Sequence, residues 1–193
     1  MATATRHEFM PHDALILGGS YAGLSAAMQL VRARRRVLVI DDGRPRNRFA
    51  ARAHGVLTND GKSGAEIAAA ARLQVAAYST AAFRMAEAVE VERIEGGFQI
   101  GFADGTKTTG RRLLLSHGVE DVTPDIPGVR ERWGRTALHC PWCHGYEIGG
   151  GPIGVLGRGE HAVQYAAIVA EWGQVTLFLS LIHISEPTRR TPI

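Results

Sequence analysis

Only two cysteines occur in the 193 residues, Cys140 and Cys143. With no second cysteine pair, the four-ligand set of a structural zinc site is hard to complete. No apolar run is long enough to span a bilayer, and the opening Met1–Met10 lacks the apolar core of a secretory signal. The expectation is a cytoplasmic protein with no membrane partner. Charge of neither sign dominates, since 22 Lys and Arg face 19 Asp and Glu and leave +3 at pH 7. The basic clusters Arg32–Arg36 and Arg44–Arg48 lack interleaved aromatics. That argues against nucleic acid and for a solvated face, or for help in holding cofactor phosphates. At 45% hydrophobic residues the chain suits one large globular domain or two small ones.

What is present begins with Ala14-Leu15-Ile16-Leu17, a short apolar run of the kind a buried parallel strand needs, leading into Gly18-Gly19-Ser20-Tyr21-Ala22-Gly23. The small apolar segment Leu24–Val31 reads as a helix that packs tightly on a sheet, and Arg36–Ile40 as a second strand ending at Asp41. Strand, glycine turn, helix, strand and acid form a dinucleotide-binding βαβ unit. In that reading Gly18 permits the tight turn, Gly23 lets the helix approach the strand, and the helix N-terminus offers N–H groups to a pyrophosphate. Asp41, eighteen residues past Gly23, can accept hydrogen bonds from an adenosine ribose. Ser20 replaces the middle glycine of the pattern.

Further on, Ser63–Tyr78 reads as a helix with Ser63 and Glu66 as a capping box. Ala88–Glu95, Phe98–Phe102 and Arg111–Ser116 read as the strands of a small antiparallel meander. Asp121–Gly128, with two prolines, is an extended connection and a domain boundary. The opening pattern then repeats: strand 152–156, the turn Gly157-Arg158-Gly159-Glu160-His161-Ala162, helix Ala162–Trp172 and strand Gln174–Phe178. Two dinucleotide motifs imply two nucleotides. The fold class is α/β, a doubly wound dinucleotide-binding sheet of the three-layer ββα type with a second dinucleotide-binding domain inserted and incomplete at the C-terminus. The expected division is 1–120, 121–178 and a non-native tail 179–193, whose residues read like the translation of a sequencing-library adapter.

The two cysteines stand in His139-Cys140-Pro141-Trp142-Cys143-His144. Two intervening residues let both sulfurs meet across one turn. Pro141 suits the first position of a helix, with Cys140 as cap and Cys143 in the first turn, where the helix dipole favours thiolate. Zinc held with His139 or His144, a structural disulfide, and two cysteines close by chance are competing readings. A redox-active pair between two nucleotide motifs makes an electron relay.

These residues resemble the low-molecular-weight thioredoxin reductase family of flavin-dependent pyridine nucleotide-disulfide oxidoreductases. The resemblance runs from Asp13 to Phe178 and is carried by the two glycine turns, by Leu115-Ser116-His117-Gly118 with Ile126-Pro127-Gly128, and by Cys140–Glu147. It implies that the first unit binds FAD, with His117 and Gly118 against the flavin, and that the second binds NADPH through Gly157, Gly159 and Ala162. It also implies that Cys143 faces the flavin while Cys140 attacks the substrate, a thioredoxin-like protein or a small disulfide, and that the full-length form is a homodimer. Truncated as it reads, the 193-residue chain by itself is expected to fold poorly, to hold FAD weakly and to be inactive.

The chain departs from that family where His144 stands in place of an aspartate proton donor, a role histidine can fill near neutral pH. The Cys-Pro-x-Cys-His-Gly-x-Glu form is also similar to that of oxygen-dependent dithiol oxidases on the same fold, which close disulfides in small molecules. Such an oxidase is the alternative to a reductase, and a non-catalytic nucleotide- or zinc-binding module is the further alternative.

Overall fold

All four residues of the first strand, β1 (Ala14–Leu17), are buried, as a strand at the centre of a covered parallel sheet must be. The computed structural model describes residues 11–179. From β1 the chain passes through α1 (Tyr21–Arg32), β2 (Val37–Asp41), a 3-10 turn at Arg46–Phe49, α2 (Gly64–Ala76) and β3 (Ala81–Met85). It continues through β4 (Ala88–Ile94), β5 (Gly97–Phe102), β6 (Lys107–Gly110) and β7 (Leu113–Leu115). Then come the single-turn helices α3 (Val129–Arg132) and α4 (Pro141–His144), a 3-10 turn at Tyr146–Ile148, β8 (Gly150–Gly157), α5 (Gly159–Val169) and β9 (Gly173–Leu179).

The main sheet is parallel, in the order β3-β2-β1-β7. Side chains alternate across it. Ala14, Ile16, Val37 and Val39 pack with Leu24, Ala27 and Val31 of α1 and Val75 of α2. Leu15, Leu17, Leu38 and Ile40 point the other way and pack with Ile100 and Phe102 of β5. Helices, parallel sheet and antiparallel meander (β4-β5-β6) therefore stack as three layers. Ser63 caps α2 as expected: its Oγ accepts from the Glu66 N–H at 3.2 Å while Glu66 Oε2 accepts from the Ser63 N–H at 2.8 Å.

Three expectations are corrected. The segment 111–116 is not the third strand of the meander, because Leu113–Leu115 pairs parallel with Leu15–Leu17 in the main sheet. The meander closes instead with the polar Lys107–Gly110, whose face carries no apolar alternation to read. Ala81–Met85, with no β-branched residue, is an unexpected edge strand paired with Val37–Asp41. The last helix begins at Gly159, three residues earlier than Ala162, and ends at Val169.

The chain divides into two compact units. One runs to Arg52 and from Gly61 to Arg130, and the other comprises Ala53–Asp60 and the chain from Glu131 onward. In the second unit β8 and β9 pair in parallel, and α5 covers one face through Val155, Ala166 and Val169. Leu156 and Phe178 of these strands are exposed. Residues 180–193, most of the tail expected to be non-native, lie outside the described residues.

An ion pair joins the starts of the first two strands. The Arg36 N–H donates to Asp13 Oδ2 at 2.9 Å, and Arg36 Nη2 lies 3.5 Å from Asp13 Oδ1. The Arg36 amide, and after it the guanidinium, hold the Asp13 carboxyl below the usual carboxylate range. A carboxyl depressed on folding adds stability above its unfolded pKa and loses it as pH falls through the folded value. Asp13→Asn is thus expected to lower the urea midpoint at pH 7, with the gap to wild type closing below about pH 4. An unchanged gap at acid pH would contradict this.

Candidate functional site

In the first unit the candidate residues gather at the C-terminal edge of the parallel sheet, where ligands of open α/β sheets bind. Gly18 ends β1 with φ +101°, and its N–H donates to the Ile40 carbonyl at 2.8 Å. A Cβ at Gly18 would stand 2.3 Å from the Ser116 carbonyl oxygen, and one at Gly23 would stand 1.8 Å from the Gly18 carbonyl oxygen. Both positions are closed to any side chain by backbone. Ser116 locks the junction: its N–H donates to the Leu17 carbonyl at 2.8 Å, and its hydroxyl bonds the same oxygen at 2.7 Å and the Gly18 carbonyl at 3.0 Å.

Ser20 is the N-cap of α1 but makes no side-chain cap bond. The first turn, with Tyr21 and Ala22 exposed, thus keeps its N–H dipoles for an incoming anion. Asp41 accepts from the Gly19 N–H through Oδ2 and from the Gly43 N–H at 2.8 Å through Oδ1, so its carboxylate is oriented by the turn it faces. A close-packed glycine turn, an uncapped helix start and an oriented acid at the end of β2 together fit the phosphates and ribose of a dinucleotide. His117 and Gly118 follow β7 at the same edge and are exposed, Gly118 with φ +73°.

The nearby arginines are largely spent on structure. Arg44 reaches Asp42 at 2.8 Å and Glu87 at 2.9 Å, and Arg46 Nε donates to Asp121 at 2.9 Å, tying the loop after β2 to the segment after β7. Arg48 donates to the Pro45 carbonyl at 3.1 Å.

In the second unit Cys140 is the N-cap of α4, Pro141 its first residue, and Cys143 follows within the turn. The sulfurs form a disulfide across a Cα–Cα distance of 5.3 Å, so one helical turn supplies the geometry that closing and opening requires. Both sulfurs are consumed in this bond, and among the described residues no group of three or more His, Cys, Asp or Glu side chains is placed to hold a metal ion. Because α4 is a single turn, its dipole is shorter than the sequence suggested. His144 closes that turn and is half-buried.

Three tryptophans, the chain's full complement, surround this segment, and spacing alone did not single them out. Trp142, 65% exposed, meets Trp172 edge-on at 5.4 Å. Trp172 covers Gly145, where a Cβ would stand 2.4 Å from the indole, so the residue after His144 must be glycine. Trp133 stacks on His139 at 5.8 Å, and the Tyr165 hydroxyl donates to the His139 carbonyl at 2.9 Å, burial pushing its pKa up.

The second glycine turn follows β8. Gly157 is packed against Ala162, α5 starts at Gly159 with φ +60°, and its N-cap Arg158 makes no side-chain cap bond. One more group was missed: His54, whose ring nitrogens lie 3.6 Å from Asp60 and 3.6 Å from Glu147. It stands 86 residues before Cys140, and no local pattern marks it.

Known proteins match this chain over most of its length. Residues 12–189 match the family model of the pyridine nucleotide-disulphide oxidoreductases. A thioredoxin reductase of Claviceps purpurea is 41% identical over 152 residues, covering 76% of this chain and 47% of that protein. Another, from Aspergillus oryzae, is 36% identical over 154 residues, covering 78% and 49%. The crystal structure of an oxidoreductase from Agrobacterium tumefaciens superposes with a TM-score of 0.85 at 44% identity, over 92% of this chain and 60% of that one. The chain spans about half the length of the curated relatives it matches.

Proposed function

Because this chain belongs to the pyridine nucleotide-disulphide oxidoreductase family, we propose that it carries the first nucleotide-binding part and the redox cysteines of a thioredoxin reductase-like enzyme. In this reading electrons pass from NADPH through FAD to the Cys140–Cys143 disulfide, and from there to a thioredoxin-like protein or a small disulfide. The observation that carries it is the disulfide itself, formed within one helical turn by the only two cysteines of the chain. Bound flavin supplies the two-electron relay between a nicotinamide and a disulfide.

The chain's own residues do the rest. Gly18–Gly23 and Asp41 hold the first nucleotide, and Gly157, Gly159 and Ala162 the second. Reduction breaks the Sγ–Sγ bond, takes up two electrons and two protons, and leaves two thiols. Cys140, at the helix cap, is the thiolate that attacks substrate, Cys143 resolves the mixed disulfide, and His144 holds or delivers the proton. A second reading, an oxidase of small dithiols in which flow is reversed towards oxygen, is favoured by His144 in the proton-donor position and by the exposed Trp142 between the cysteines.

The test is thiol–disulfide exchange of the purified chain, trapped by alkylation and read by mass. Two thiols are expected to appear together and to equilibrate with a thioredoxin-type dithiol. Equilibration with small cyclic dithiols alone would favour the oxidase. Zinc that protects both thiols, with no exchange, would make the chain a binding module.

A further inference from the structure

The segment Ala53–Asp60 leaves the first unit in sequence and joins the second in space, and its side chain of consequence is His54. Nδ1 of His54 lies 3.6 Å from Asp60 and Nε2 lies 3.6 Å from Glu147, with the ring three-quarters buried at 24% exposure. Asp60 also accepts from the Gly55 N–H at 2.8 Å, so the loop closes on itself around the imidazole. That closure relies on unusual backbone. Gly55 has φ +72°, and Thr58, a β-branched residue, is held at φ +69°, a conformation that persists only where surrounding contacts dictate it. A Cβ at Gly55 would lie 4.0 Å from the Trp142 carbonyl oxygen, so the loop also runs beside α4. Glu147 sits in the 3-10 turn Tyr146–Ile148 that directly continues α4, four residues past Cys143.

We infer that His54 is a positioning residue for the redox pair: packed between Asp60 and Glu147, and within ion-pair reach of each carboxylate when its ring is protonated, it anchors the turn that follows Cys143 and so keeps the two sulfurs within bonding reach. The inference rests on the reading of Cys140–Cys143 as a redox couple. Its physical content is preorganisation. The disulfide and dithiol states differ in how tightly the turn must be held, and a tether on the C-terminal side of Cys143 favours the closed, oxidised state. Removing it leaves the thiols freer and shifts the equilibrium towards dithiol.

The experiment equilibrates the whole chain in glutathione redox buffers, quenches by alkylation and reads the oxidised fraction by mass. His54→Gln and Glu147→Gln are each expected to shift the equilibrium towards dithiol by about threefold to tenfold. The double variant is expected to shift no further than His54→Gln alone, since the His54–Glu147 contact that Glu147→Gln removes is already lost with His54. A His54→Gln equilibrium constant within about twofold of wild type, or fully additive shifts, would overturn the inference. Thermal unfolding followed by circular dichroism accompanies each variant. If His54→Gln does not fold, Glu147→Gln, changed on the more exposed partner, decides alone by the same criterion. A wild-type chain that never exchanges with glutathione would instead overturn the redox reading itself.

Discussion

Cys143→Ser is expected to leave a chain that captures glutathione as a stable mixed disulfide on Cys140 and releases it ~10³-fold more slowly or not at all. The reason lies in the geometry of α4. With Cys140 at the cap and Cys143 three residues on, the second thiolate attacks the mixed disulfide across one turn, an intramolecular step with a high effective concentration. Serine keeps the shape but supplies a hydroxyl that stays protonated at neutral pH and does not form an S–S bond. The complementary Cys140→Ser is expected to accumulate far less adduct, because in the proposed roles its remaining thiol is the resolving one. Intact-mass measurement after incubation with oxidised glutathione checks both. Equal adduct on the two variants would erase the assignment of roles, and more adduct on Cys140→Ser would reverse it.

The second large effect belongs to the first unit. Gly23→Ala is expected to destabilise that unit by about 3 kcal/mol or more, the upper range of overpacking, and, where this unit is the flavin site as proposed, to abolish the weak flavin binding expected of the chain. An added Cβ would lie 1.8 Å from the Gly18 carbonyl oxygen and 2.8 Å from the Ser116 hydroxyl. Neither neighbour can yield: the Gly18 carbonyl is held by the tight turn, and Ser116 is bonded to both Leu17 and Gly18. The control is Ser25→Ala, on the exposed face of the same helix, expected to stay within about 0.5 kcal/mol of wild type. Urea midpoints and a flavin titration of the two variants give the comparison. A Gly23→Ala chain as stable as the control would mean that α1 does not pack on β1 as closely as described.

Much of the first unit could be read without coordinates because its signals are local. Ala14–Leu17 is uniformly apolar, the turn that follows needs glycine within six residues, and Ser63 finds Glu66 one helical turn away. The same holds for Cys140-Pro141-Trp142-Cys143, where cap, proline and second cysteine fall within one turn. The strands were less legible where their burial depends on a distant partner. Leu113–Leu115 is apolar enough to belong to either sheet, and only its pairing with Leu15–Leu17, about a hundred residues earlier, decides which. Ala81–Met85 has weak strand propensity and is extended because β2 offers it an edge.

The sequence by itself determined the α/β class, the two glycine turns, the acid that ends the strand after the first of them, and the cysteine pair at a helix start, since each follows from steric and hydrogen-bonding rules that act within one supersecondary unit. Tertiary structure alone decided that Ser116 would close the first turn, that Trp172 would cover Gly145, and that His54 would reach Glu147. Those contacts join residues 27 to 99 positions apart in the chain, and which of many such pairs meet is set by how the layers pack, a cooperative outcome that no short stretch of sequence specifies.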